Sequence, residues 1–366
     1  MSRTTGYSLP PTAAPKLEAL VDHIEANRGD MIDLSELDRS SAKLDIRNVM
    51  ATLPDGITEE DFIGMLKLAM FTEAGTDSYA AVFEEGALYY NAPWLTRFNQ
   101  NVWVPDEHTH YAPYKYMLQS LGYSEEELDQ GMTEVKERHY EHCCGKTPVE
   151  LATYGVIQEY LTDNWHGILS KLMKDGAPYA SHCANLVKRR ETLHTLWYRD
   201  MTAVMIEENP ELLSLVADTM VGFQMPGTTL VPQFGPRALD WMTRVNVDFD
   251  QIARDLVRNF TDAAGSIKRT GQLLIHMAVR RGYPIGPFPP RLVRGAMDRL
   301  GGPGYGLIGE AILDKVGLPL PRKSEGRLDS GMRFYSGAYE RIRARMRKFI
   351  GERIDLRTIT GETTAA

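Results

Sequence analysis

Apolar residues recur at three- and four-residue intervals through most of the chain, and no segment keeps the two-residue alternation of a half-buried strand. The pattern predicts helices over Lys16–Asn27, Thr58–Glu85, Trp94–Leu121, Thr147–Lys174, Tyr179–Glu208, Glu211–Phe223 and Asp248–Ala264. The boundaries carry chemical marks. Thr58 precedes three acids that favour a helix start. Thr147-Pro148-Val149-Glu150 combines a capping hydroxyl, a first-turn proline and a reciprocal Glu partner. Asp175-Gly176-Ala177-Pro178 and Asn209-Pro210 are stops. In the 94–121 helix, Pro105 and Pro113 each remove an amide donor, so a bend or bulge is expected near Glu107.

After Arg281 the pattern dissolves into GYPIGPFPPRL and GGPGYGLIG, then resumes as a basic amphipathic helix over Gly337–Gly351. The glycines of the second string follow no strand and lack a Gly-Lys-Ser/Thr ending, so they predict turns and not a phosphate loop. The expected organisation is a mobile segment 1–15, a helical domain 16–281 and a C-terminal extension 282–366. The fold class is all-α, with a four-helix bundle core, additional helices and an irregular extension.

Candidate chemistry lies on the four longest helices. Glu107-x-x-His110 and Glu191-x-x-His194 each place a carboxylate and an imidazole on one helical face. Lone glutamates, Glu73 and Glu159, sit on the other two. With 49 acids and 9 histidines in 366 residues, chance yields about one Glu-x-x-His pair, so two pairs carry little by themselves. The order carries more: Glu, Glu-x-x-His, Glu, Glu-x-x-His, at steps of 34, 52 and 32 residues, each enough for a bundle-crossing helix and its connection. Glu-x-x-His from two helices and a glutamate from two others is the donor set of a carboxylate-bridged di-metal site. Four carboxylates and two imidazoles suit iron or manganese and leave positions open for dioxygen. Thr162, three residues after Glu159, falls on the same face. It is a candidate to hydrogen-bond bound oxygen or pass protons, or it bonds back to a helix carbonyl.

Composition adds limits. Charged residues at 25% and hydrophobic residues at 43% are those of an ordinary globular chain. No apolar run approaches the roughly 18 residues of a membrane helix, and the N-terminus has no apolar signal core, so a cytoplasmic location is expected. Cys143, Cys144 and Cys183 are too few for a disulfide scaffold. The net charge of −8 is uneven: residues 251–366 hold 21 Lys and Arg against 11 Asp and Glu, and the rest is strongly acidic. The basic third suggests an acidic partner. It lacks aromatic interleaving or a nucleic-acid-binding motif, so nucleic acid is not expected.

The motifs resemble the soluble acyl-acyl-carrier-protein desaturases of plant plastids and actinobacteria over roughly residues 15–265. MFTEAGTDSY is similar to the family's Thr-Glu-Glu-Ala-Leu-Pro-Thr-Tyr, and DEHTHYAPYKYML to its Glu-Glu-Asn-Arg-His segment. QEYLTDNWHG is similar to Gln-Glu-Arg-Ala-Thr-Phe-x-x-x-His-Gly, ETLHTLWYRDM to Glu-x-x-His-x-x-x-Tyr, and VADTMVGFQMPGTTL to the stretch after the bundle. The resemblance implies a ferritin-like bundle, a homodimer, a di-iron centre, dioxygen as co-substrate and electrons from ferredoxin. The substrate it implies is a fatty acyl chain on acyl carrier protein. It implies Glu73, Glu107, His110, Glu159, Glu191 and His194 as iron ligands and Thr162 as the active-site threonine. Lys188-Arg189-Arg190 or the basic third would dock the carrier. Two positions depart from the family. Arg190 stands where an acid supports a ligand histidine, and Pro105 precedes Glu107, which makes Asp106 an outside candidate ligand.

The same donor set also serves a di-iron oxygenase performing hydroxylation or N-oxygenation on a carrier-bound or free substrate. A non-catalytic or iron-storage bundle is a third class, disfavoured because storage bundles are shorter and lack two full motifs.

Overall fold

The computed structural model describes residues 7–34 and 43–280. Among them every regular element is helical, as the periodicity predicts. In chain order they are α1 (Ala13–Asn27), α2 (Ile46–Met50), α3 (Glu59–Ala74), α4 (Thr76–Tyr89), α5 (Pro93–Phe98), α6 (Val104–Glu107), α7 (Tyr111–Ser120) and α8 (Glu125–Lys136). They continue with α9 (Pro148–Met173), α10 (Pro178–Glu208), α11 (Leu213–Gly222), α12 (Pro226–Leu230), α13 (Ala238–Arg244), α14 (Phe249–Ala264) and α15 (Ile267–Arg280). None is long and apolar enough to cross a membrane.

The bundle is two helix pairs. α9 packs along α10, and α3 packs along α7, so each lone-glutamate helix lies against a helix that follows or carries a Glu-x-x-His motif. α9 opens with the expected capping box: Thr147 Oγ1 accepts from the Glu150 amide, and Glu150 reaches back to the Thr147 amide. α3 opens with the same device from Thr58 and Asp61. α1, α11 and α14 cover the outer sides of the bundle.

Three differences from the predicted elements bear on the site. The 58–85 helix is broken at Gly75, where the Thr76 hydroxyl takes the Glu73 carbonyl at 2.8 Å. An added Cβ on Gly75 would stand 3.1 Å from Val135 and 3.2 Å from Leu230, so glycine lets α8 and α12 close over the break. The 94–121 helix is interrupted as expected. A π-helical turn, Asn99–Trp103, precedes Pro105, and residues 108–110 form a turn after Glu107. Pro105 has no amide to donate, and the Asn101 carbonyl is taken instead by the Arg28 guanidinium. Third, α8 is absent from the prediction, although Ser124 caps it and Leu128, Met132 and Val135 form its buried stripe.

The predicted 337–351 helix and the extension 282–366 lie outside the described residues, as do residues 1–6 of the N-terminal segment. Residues 7–12 lie against the bundle: the Thr12 hydroxyl bonds Glu208 at 2.6 Å, and Asn209 donates to the Ser8 carbonyl at 2.9 Å.

Candidate metal centre

Six side chains called from sequence converge. Glu73 comes from the last turn of α3, Glu107 from α6, His110 from the turn before α7, Glu159 from α9, and Glu191 and His194 from α10. All six are at most 2% exposed, so no donor is free to turn into solvent. His110 Nδ1 lies 2.7 Å from Glu191 Oε1, 3.7 Å from Glu107 Oε2 and 3.8 Å from Glu73 Oε2. His194 Nδ1 lies 2.7 Å from Glu107 Oε1, 3.4 Å from Glu159 Oε2 and 3.6 Å from Glu191 Oε2. The two imidazoles face each other with ring centres 5.4 Å apart. Glu107 and Glu191 each lie within 4 Å of both histidines.

Burial of so many acids shifts their protonation. Burial and the neighbouring Glu191 charge push Glu107 up to about 8. Burial with Glu107 and Glu191 raises Glu159 well above the carboxylate range. Glu191 is opposed by burial but held far down by the facing His110. Burial alone would lower both imidazoles. The carboxylates around them, Glu107 and Glu191 at His110 and Asp106 and Glu107 at His194, instead raise both well above their usual value. Protons thus balance the buried charge where divalent cations would otherwise do so.

The donors fit a metal pair. His194 Nδ1 and Glu107 Oε1 are buried and without a hydrogen-bond partner, although they approach to 2.7 Å. Both point into the space the other donors surround, as ligands sharing a cation do. Two overlapping groups, Glu107/His110/Glu191/His194 and Glu73/His166/Glu191, each bring their ligand atoms within 4.8 Å of one another.

His166 is absent from the predicted set. Its Nε2 lies 3.0 Å from Glu73 Oε1, and its Nδ1 is 2.5 Å from the Tyr114 hydroxyl. Its signal is its spacing: Glu159, Thr162 and His166 stand at i, i+3 and i+7, one stripe of α9. Tyr114 follows His110 by four residues.

Asp106, the outside candidate, is not among the donors of the cluster. It stands behind His194, accepting from Nε2 at 2.8 Å and pairing with Arg190 at 2.7 Å. Burial alone would raise Asp106; His194 and Arg190 hold it near 2. Arg190 therefore fails as a carrier-docking residue. It is buried, bonding Asp106 and the Arg28 carbonyl. Lys188 pairs with Asp163, which leaves Arg189 as the exposed member of the tripeptide. The replacement also makes the histidines unequal: His194 has Asp106 behind it, whereas His110 Nε2 has no hydrogen-bond partner. The proline at 105 does not take Glu107 out of the cluster, where its Oε1 lies 2.7 Å from His194 Nδ1.

Thr162 Oγ1 lies 3.0 Å from the Glu159 carbonyl, the expected back-bond to the helix, and 3.2 Å from Glu191 Oε2. It also lines an apolar cavity with Glu73, Leu68, Trp165, Met242 and Phe249. Tyr79, Phe83, Trp103, Tyr154 and Tyr198, each at most 1% exposed, form a set of rings in mutual contact outside that cavity's lining.

A model of the fatty acid desaturase family matches residues 24–254, which include every residue named in the cluster. The chain belongs to the fatty acid desaturase family. Among solved structures, an R2-like ligand-binding oxidase with a reconstituted Mn/Fe cofactor aligns at 15% identity and a TM-score of 0.37. The alignment covers 81% of this chain and 93% of that one. No curated protein matches.

Proposed function

We propose that the chain is a di-iron, dioxygen-dependent desaturase that introduces a double bond into a fatty acyl chain held on acyl carrier protein, with electrons from a ferredoxin-type donor. The observation that carries this reading is the apolar cavity whose wall includes both Glu73 and Thr162. An alkyl chain threaded there lies against the donor cluster with little polar surface to bind anything else. Family membership supports the acyl substrate, the carrier and the homodimer.

Glu73, Glu107, His110, Glu159, Glu191 and His194 would hold the metal pair, with His166 backing or joining Glu73. Bound iron supplies reduction of dioxygen and removal of two hydrogens: R–CH2–CH2–R′ + O2 + 2e− + 2H+ → R–CH=CH–R′ + 2H2O. The protein's own part is positional. Leu68, Trp165 and Phe249 hold the methylenes and exclude water. Thr162 holds a hydroxyl proton beside Glu191 Oε2. Asp106 fixes the His194 tautomer by accepting from Nε2, which leaves Nδ1 for metal.

The test is product mass. Iron-loaded chain with ferredoxin, its reductase and acyl carrier protein bearing saturated chains should yield acyl product lighter by two hydrogens. A product heavier by one oxygen assigns the same site to hydroxylation, and absence of turnover on every acyl chain length rejects the substrate class.

A further inference from the structure

A run of oxidisable side chains leads from the donor cluster to the surface, and desaturation makes no use of it. Thr76 Oγ1 lies 3.5 Å from Glu107 Oε2 and 2.8 Å from the Tyr79 hydroxyl. Tyr79 stands edge-on to Tyr140 at 6.1 Å between ring centres. Tyr140 and Tyr154 share a 2.5 Å hydroxyl contact. Tyr154 donates to the Gln224 carbonyl at 2.8 Å, and the Gln224 amide donates to Cys143 Sγ at 3.2 Å. Cys143 Sγ and Cys144 Sγ are 3.4 Å apart, not joined in a disulfide. Tyr79 and Tyr154 are buried, Tyr140 is 7% exposed, and both cysteines are half-buried. The run thus begins beside a predicted metal ligand and ends where solvent reductants reach.

We propose that this run is an escape path for oxidising equivalents, with the Cys143–Cys144 dithiol as its terminal reductant. It acts when dioxygen is reduced at the metal centre with no alkyl chain in the cavity, and so it rests on the function proposed above. The dithiol then replaces the substrate as the donor of two electrons and two protons: 2 R–SH + O2 + 2e− + 2H+ → R–S–S–R + 2H2O. The two further electrons come from the same ferredoxin-type donor. Two S–H bonds break in place of two C–H bonds, and one S–S bond forms. Electrons move singly. Tyr79 yields one toward the cluster while Thr76 accepts its hydrogen bond. Each phenol's proton shifts to its hydroxyl partner, Thr76 for Tyr79 and Tyr154 for Tyr140, and returns when that phenol is refilled. Tyr140 refills Tyr79, a thiol refills Tyr140 and releases its proton to solvent, and one proton from solvent reaches the cluster for each electron passed. The second passage closes the disulfide, which needs the sulfurs to approach from 3.4 Å to a bond of about 2.05 Å. Thiols at the end of the path make the damage reversible, because a disulfide is reduced by exchange with other thiols.

The experiment uses the full chain, loaded with iron, reduced with stoichiometric dithionite and mixed with dioxygen in the absence of acyl substrate. Dioxygen uptake is recorded, the thiols are alkylated, and the peptide holding residues 143 and 144 is weighed. The expected result is a peptide lighter by two hydrogens and resistant to alkylation, with Cys183 still alkylated. The metal-free chain should keep both thiols. Tyr140→Phe, which keeps the ring, should keep both thiols at unchanged iron content and accumulate a phenoxyl radical signal at Tyr79 in freeze-quenched samples. Dioxygen uptake with both thiols intact overturns the path and leaves the desaturase reading standing. Equal disulfide formation in the metal-free chain or in Tyr140→Phe also overturns it. Absence of dioxygen uptake overturns both.

Discussion

Each imidazole of the cluster faces several carboxylates, so the cluster fails in a specific way when one side chain is removed. Glu107→Ala leaves His194 Nδ1 without its nearest carboxylate, and His194→Ala removes the imidazole that lies 2.7 Å from Glu107 Oε1. Both variants should lose tight iron retention and all turnover while their far-ultraviolet circular dichroism stays helical. Full iron content by elemental analysis in either one would refute the assignment. At this scale the sequence was legible where two chemical groups lie three residues apart on one helix, as in Glu107/His110 and Glu191/His194. It was less legible for His166, whose partner Glu73 comes from another helix. Asp106 was misplaced for a related reason: at i−4 from His110 it suits one helical face, but the turn at 108–110 sends it behind His194 instead.

At the scale of elements, the α9–α10 contact decides how closely the two ligand-bearing helices approach. Gly155 on α9 faces the Tyr198 ring on α10, where an added Cβ would sit 2.6 Å from ring atoms. The ring is fully buried and cannot swing away. Gly155→Ala gains about 1 kcal/mol of helix propensity and should lose roughly 3 kcal/mol to overpacking. Urea denaturation should therefore show a net loss of about 2 kcal/mol. The start of α3 is pinned to α13 by Asp61, which accepts from Trp241 Nε1 at 2.8 Å, Arg244 at 2.6 Å and Arg237 at 2.7 Å. The Arg244 bond, against the opposing effect of burial, holds Asp61 far below the usual carboxylate range. A depressed folded-state value gives stability that is complete above the unfolded value, near 3.9, and is lost as pH falls through the folded one. Asp61→Asn should cost about 2 kcal/mol near neutral pH. The gap in urea midpoints should narrow below about pH 4; a gap that widens there would contradict the ion pair.

For the whole molecule, folding gathers protonated acids and charged imidazoles in one buried place, and cations that bind only the folded chain must stabilise it. Iron at a hundredfold excess over its dissociation constant should add about 2.7 kcal/mol. That is a rise in melting temperature that a chelator reverses; an unchanged melting temperature would mean the cluster holds no metal. The sequence alone determined the all-α class of the described residues, the helical character of the four principal segments and the six side chains that converge. These follow from local rules: period, caps, proline placement and the three-residue spacing of Glu and His. Only the tertiary structure decided that Arg190 pairs with Asp106 and not with a carrier protein, and that Gly75 breaks a predicted helix. It also decided that Glu73 and Thr162 line one cavity while Tyr79 and Tyr198 are buried away from it. Each of these depends on which side chains from distant segments meet, and spacing along one helix carries no information about what stands across from it.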